Sequence, residues 1–99
     1  MKKLLVVYNT CGISGRVNVG EYIGSIGSIL RQDLDDTEVA LSSCLNNDGE
    51  IFMLKEKFGN SLSYNVIRQN LPVSVTFNHT VEKCREKFGD FEGYVFIDS

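Results

Sequence analysis

Along this chain, short stretches of strand-like composition alternate with longer segments whose apolar residues recur every three or four positions. The runs are Leu4 to Tyr8, Glu38 to Leu41, Leu62 to Ile67 and Tyr94 to Ile97. Each is too short for a helix and reads as a strand. The first and last are apolar throughout, which predicts burial on both faces in a parallel sheet covered by helices. Between the runs lie three helical patterns. Val19, Tyr22, Ile23, Ile26, Ile29 and Leu30 form one stripe, with Asn18 as N-cap, Glu21 completing a capping box and an end near Gln32. Ile51, Leu54 and Phe58 form a second, capped by Asn47 with Glu50 and closed by Gly59. Phe77, Val81, Cys84 and Phe88 form a third, with Pro72 near its first turn.

The resulting β-α-β-α-β-α-β succession predicts a three-layer α/β fold with a mostly parallel sheet. Right-handed crossovers and one reversal beside the first strand give the order 3-2-1-4. That reversal opens a crevice between the first and fourth strands, onto which Asn9 to Arg16, Ser42 to Asp48 and Asp98 are expected to face. Gly20, Gly24 and Gly27 each weaken a helix by ~1 kcal/mol relative to Ala. Their spacing predicts close packing of that helix on a neighbour. Asp33 to Thr37 is a polar turn.

A chain of 99 residues with 42% hydrophobic and 23% charged residues is one ordinary globular domain. Its net charge of −3 and scattered cations leave no electrostatic footprint for nucleic acid. Lys2 and Lys3 precede an apolar run, but polar Asn9 and Thr10 follow at once, so this run is not expected to act as a signal peptide. No stretch approaches the ~20 apolar residues of a transmembrane helix. Cys11, Cys44 and Cys84 are an odd set without CxxC spacing, as expected of reduced thiols in a cytoplasmic protein. The Asn78-His79-Thr80 sequon is then a chance match, and His79 is assigned to the surface or a cap.

The chemistry-bearing residues gather where strands end. Asn9-Thr10-Cys11-Gly12-Ile13-Ser14-Gly15-Arg16 has the small residues that allow close backbone approach to a ligand, equally a feature of a plain connection. It lacks GxGxxG and the GK[ST] ending of a P-loop. Ser42 to Asp48 supplies hydroxyls, amides and a carboxylate, with helix capping as the alternative role of Asn46 to Asp48. Asp98 closes the last strand, where α/β sheets place ligands, and a simple cap is its alternative.

Four stretches together resemble the N-terminal, nucleotide-sugar-binding half of family-2-like glycosyltransferases with the GT-A fold. They are the strand ending in Tyr8-Asn9, the helix from Asn18 to Gln32 with its Tyr22-Ile23-x-Ser25-Ile26-x-Ser28-Ile29-Leu30-x-Gln32 pattern, the segment Glu38 to Asp48, and Tyr94 to Ser99. The resemblance implies a Rossmann-like fold and binding of a nucleotide-diphospho-sugar whose sugar passes to an acceptor hydroxyl. It implies that Tyr8, Asn9, Thr10, Cys11 and Gly12, with Ser42, Ser43 and Asn46, line the base and ribose. Asn78 matches the last position of the family's Ala-Arg-Asn, and Asp98 stands as the first acid of the metal motif, which holds Mg²⁺ or Mn²⁺. Ser42 and Ser43 replace a family acid, and Phe77 replaces the family cation. By the resemblance, the 99 residues form a single donor-binding domain that stops before the second motif acid and the acceptor half. It is expected to bind donor weakly without transfer, and to associate with a second copy through an exposed sheet edge. The competing expectation is a non-catalytic nucleotide-binding or protein-interaction module on the same scaffold.

Overall fold

Strand β1 (Leu4–Cys11) lies inside a four-stranded sheet, between β2 (Thr37–Cys44) and β4 (Gly93–Asp98), with β3 (Ser63–Ile67) beyond β2. The computed structural model describes residues 3–11, 19–32 and 36–98. All three pairings are parallel and the order is β3-β2-β1-β4. The Rossmann-like three-layer arrangement expected from the apolar pattern is therefore the observed one.

Helices α1 (Val19–Leu30) and α2 (Asp48–Phe58) connect strands stepping one way across the sheet, while α3 (Val73–Phe88) returns from β3 to β4. Crossovers of one hand that travel in opposite directions must lie on opposite faces. The two apolar clusters divide accordingly. Val6, Tyr8, Val39 and Leu41 pack with Tyr22, Ile26 and Leu54 on one face, and Leu5, Val7 and Ala40 pack with Cys84 and Phe91 on the other. Tyr22 and Ile26 are fully buried, each worth about 2 kcal/mol of transfer free energy.

Local signals account for most boundaries. Asn47 Oδ1 accepts the Glu50 amide at 2.8 Å while Glu50 Oε1 accepts the Asn47 amide at 3.1 Å, a complete capping box for α2. Gly59, at φ 51°, ends that helix, and a single 3₁₀ turn, Gly59–Ser61, leads to β3. Pro72 is the residue before α3 and not within it. The proposed Asn18 cap lies outside the described residues, as does most of the expected polar turn before β2.

Four expectations are corrected. Strands β1 and β2 each continue three residues beyond their apolar runs: the polar side chains of Asn9, Thr10 and Ser43 find partners within the fold, and the parallel pairing carries Ser42 with them. Strand β4 is not buried on both faces: Tyr94, Val95 and Phe96 are 41%, 41% and 49% exposed. It is an edge strand, covered on one face mainly through Phe77, whose ring centroid lies 4.6 Å from that of Phe96. On α3, the most deeply buried positions are Thr76, Thr80 and Cys84, with Phe77, Val81 and Phe88 at the margin. Finally, the glycines of α1 do not mark close packing at the two positions where space is defined. A Cβ on Gly24 would meet nothing within 4 Å, and one on Gly27 would touch only the Arg31 guanidinium at 3.4 Å.

Candidate functional site at the carboxyl ends of the strands

The parallel register brings Asp98, Asn9, Ser42 and Asn65 into one row across all four strands. Residues in register share a face, and here it is the one covered by α3. Asn9 Nδ2 donates to Asp98 Oδ1 at 3.0 Å, and Thr76 Oγ1 lies 3.2 Å from Asn9 Oδ1 and 2.9 Å from the Val73 carbonyl. Further along, Asn65 Nδ2 donates to Thr80 Oγ1 and to His79 Nδ1, each at 2.9 Å. Asn9, Ser42, Asn65, Thr76 and Thr80 are all buried, whereas Asp98 is exposed. A polar row of this depth explains why α3 turns threonines to the sheet. Apolar side chains there would strand the amides without partners, at about 1–3 kcal/mol for each group.

A second polar cluster sits on the opposite face, directly across β1 and β2. Thr10 and Ser43 are in register, and their hydroxyls donate to the same oxygen, Asn46 Oδ1, at 2.6 and 2.7 Å. Leu45, in the left-handed region at φ 60°, turns the chain so that Asn46 folds back over the strand ends. The Tyr22 hydroxyl donates to the Cys11 carbonyl at 3.4 Å. Burial raises the Tyr22 hydroxyl above its ordinary pKa, and the charge of Glu50 adds to this. Ser42 Oγ, Asn46 Nδ2 and Asn65 Oδ1 are buried without hydrogen-bond partners among the described residues.

The structure therefore gathers Asn9, Thr10, Cys11, Ser42, Ser43, Asn46 and Asp98 at one end of the sheet. Most of them bond each other and are closed to solvent; Asp98 is exposed and Cys11 half-buried. Tyr8 lies deeper, 4% exposed, with its ring edge-on to Tyr22. Asn78 is exposed on α3. Gly12 lies outside the described residues. Asp48 is exposed and pairs with Arg68 at 2.7 Å, beside the capping residue Asn47.

Sequence reasoning missed Thr76, Thr80, Asn65 and Tyr22 as members of these networks. The four-residue spacing of Thr76, Thr80 and Cys84 was a usable signal, because small polar residues at that interval share a helix face. Asn65, an amide in the middle of a strand, was another.

No group of three or more His, Cys, Asp or Glu side chains capable of holding a metal ion occurs among the described residues. Mg²⁺ takes about six oxygen ligands and Mn²⁺ favours a similar set. Asp98 offers one carboxylate, already accepting a hydrogen bond from the Asn9 amide. These donors do not by themselves fit a resident divalent ion. Cys11, Cys44 and Cys84 are unpaired thiols, and no helix among the described residues is long and apolar enough to cross a membrane. No protein-family model matches the chain, and no curated protein or solved structure matches it either.

Proposed function

We propose that this chain is the donor-binding part of a glycosyltransferase, holding a nucleotide-diphospho-sugar at the carboxyl end of its sheet beside β1 and β4. The observation that carries the reading is the exposed Asp98 carboxylate, anchored by Asn9 to a polar row that crosses every strand. Ligands of open α/β sheets bind where the strand order reverses, outside the carboxyl ends, and this row ends there. The resemblance of the stretches around Asn9, Tyr22, Ser42 and Asp98 to nucleotide-sugar-binding domains supplies the ligand class. The buried amides and hydroxyls position the strand ends, and Asp98 with the backbone near Cys11 is the surface a ligand would touch. A divalent ion, Mg²⁺ or Mn²⁺, enters this reading only as a companion of the ligand's diphosphate.

One observation favours a second reading, a non-catalytic α/β module. Asn9, Thr10, Ser42, Ser43 and Asn46 are each at most 2% exposed, as residues that serve only the fold would be. Thermal stability in the presence of UDP, GDP, CDP and dTDP, each with and without Mn²⁺, separates the two. A ligand bound only by the folded state stabilises it by RT ln(1 + [L]/Kd), so millimolar nucleotide reveals weak sites. A rise with one nucleotide that Asp98→Ala abolishes supports the donor-binding reading, and dependence of that rise on Mn²⁺ places Asp98 near the ion. No rise with any nucleotide leaves the module reading.

The same proposal includes self-association through β4. Among the described residues its outer edge has no strand partner, and Gly93 to Ile97 carries no charge that would discourage pairing. Light scattering across a concentration series tests this against Phe96→Lys. A wild-type protein that stays monomeric at high concentration excludes it.

A further inference from the structure

Far from Asp98, on the opposite edge of the sheet, a cavity of about 400 Å³ lies between β3, the amino-terminal side of its strand neighbour and α3. Its walls carry three lysines, Lys55 from α2 with Lys83 and Lys87 from successive turns of α3. Asn60, Ser63 and Asn65 supply polar groups between them. We propose that this cavity binds a small phosphomonoester whose organic body carries hydroxyl groups.

The argument rests on charge, on an unmet hydrogen bond and on size. None of the ion pairs among the described residues uses Lys55, Lys83 or Lys87. Lys55 Nζ instead lies 5.5 Å from the Tyr64 ring centroid and Lys87 Nζ 5.2 Å from that of Phe88. In a chain of net charge −3, three such cations around one opening are a local excess of positive charge. Glu38 is the carboxylate near the floor: it accepts the Ser63 hydroxyl at 2.8 Å and helps to raise the Cys84 thiol, chiefly raised by burial, to about 11. An anion is therefore drawn to the lysine rim and not to the floor. Lysine binds phosphate as a mobile point charge, and a rim of three suits a dianion.

The second observation is the wall residue Asn65. It is 3% exposed, both of its amide hydrogens are directed to Thr80 and His79, and its Oδ1 has no partner. A donor such as a ligand hydroxyl would satisfy this buried carbonyl oxygen on a small shift of the wall that uncovers it. The volume falls within the range of small-molecule sites, well above the ~30 Å³ of a water. Ala40, Leu62 and Phe88 give the cavity apolar wall for the carbon skeleton. The site lies apart from the Asp98 end and shares with the donor-binding reading only Asn65, the far end of the polar row.

The experiment is a titration of the full chain with glycerol 3-phosphate, inorganic phosphate and glycerol at constant ionic strength, followed by ¹H–¹⁵N NMR. The expected result is saturable movement of the Ser63, Asn65, Lys83 and Lys87 amides. Glycerol 3-phosphate should bind at least tenfold more tightly than phosphate, and glycerol not at all. A Lys83→Gln/Lys87→Gln variant, with both changes on exposed positions and the fold checked by its spectrum, should lose tenfold or more in affinity. Asp98→Ala should lose nothing. Movements that do not saturate, or that persist in the double variant, overturn the proposal. Binding of an octaglutamate peptide without binding of glycerol 3-phosphate also overturns it, and makes the lysine rim a docking surface for acidic protein segments.

Discussion

Asn46→Ala isolates the polar architecture at the strand ends. Asn46 Oδ1 is the common acceptor of Thr10 and Ser43, at 2.6 and 2.7 Å, and all three residues are buried. Two hydrogen bonds are worth about 1 kcal/mol each, and leaving the two hydroxyls unsatisfied raises the cost to about 2–4 kcal/mol in total. The loss is tempered because Asn46 Nδ2 has no partner of its own and its burial is relieved. An estimate of about 3 kcal/mol follows, a large share of the 5–15 kcal/mol typical of a domain. Urea unfolding measures it: with a slope of about 1.5 kcal/mol/M the midpoint falls by about 2 M. Asn46→Asp supplies the comparison, since it keeps the acceptor oxygen but buries a charge near Glu50 and Tyr22, so it should destabilise as well. An Asn46→Ala loss below about 0.5 kcal/mol, the scale of an ordinary surface change, would refute the claim that these side chains organise the strand ends.

Gly24→Ala should stabilise the chain by up to about 1 kcal/mol, because the added Cβ meets nothing and the helix gains propensity; thermal unfolding should shift upward by about 4–8 °C. Asn47→Ala removes the capping box of α2 and should cost about 1 kcal/mol by urea unfolding, with Asn47→Asp retaining most of the cap. Cys84 predicts a specific pH response. Its thiol is held up to about 11 by burial above an ordinary 9.0, so the folded state favours the protonated form. That contribution is fully present below pH 9 and is lost as pH rises toward 11, and unfolding free energy measured across this window should fall less steeply in Cys84→Ala. At pH 8, iodoacetamide should modify half-buried Cys11 well before buried Cys44 and Cys84, as resolved by peptide mass spectrometry.

The fold was legible because its signals are local and repeated. Short apolar runs and three amphipathic patterns alternate, and the connection rules leave few arrangements for such a series. The capping box at Asn47 and the stop at Gly59 are read from single residue types whose geometry is set within one turn. What failed depended on the third dimension. Tyr94 to Ile97 has the composition of a central strand, yet composition does not reveal how many neighbours a strand has, and β4 has one among the described residues. In the sequence the tails of β1 and β2 read as connections because Asn9, Thr10, Ser42 and Ser43 are polar. In isolation that inference is sound, since an unpaired amide in a core is costly. It breaks here because the partners come from distant parts of the chain: Thr76 is 67 residues from Asn9, and Asn46 is 36 from Thr10. The same distance hid the role of α3. Its phenylalanines suggested the inward face, but the sheet beneath presents amides, and matching them places Thr76 and Thr80 inside and leaves the aromatic residues at the edge. That edge is where Phe77 meets Phe96 on exposed β4. The polar row and the apolar edge thus have one origin. Residues that stay buried without being apolar set which side of α3 meets the sheet, and its phenylalanines then fall at the margin, beside β4.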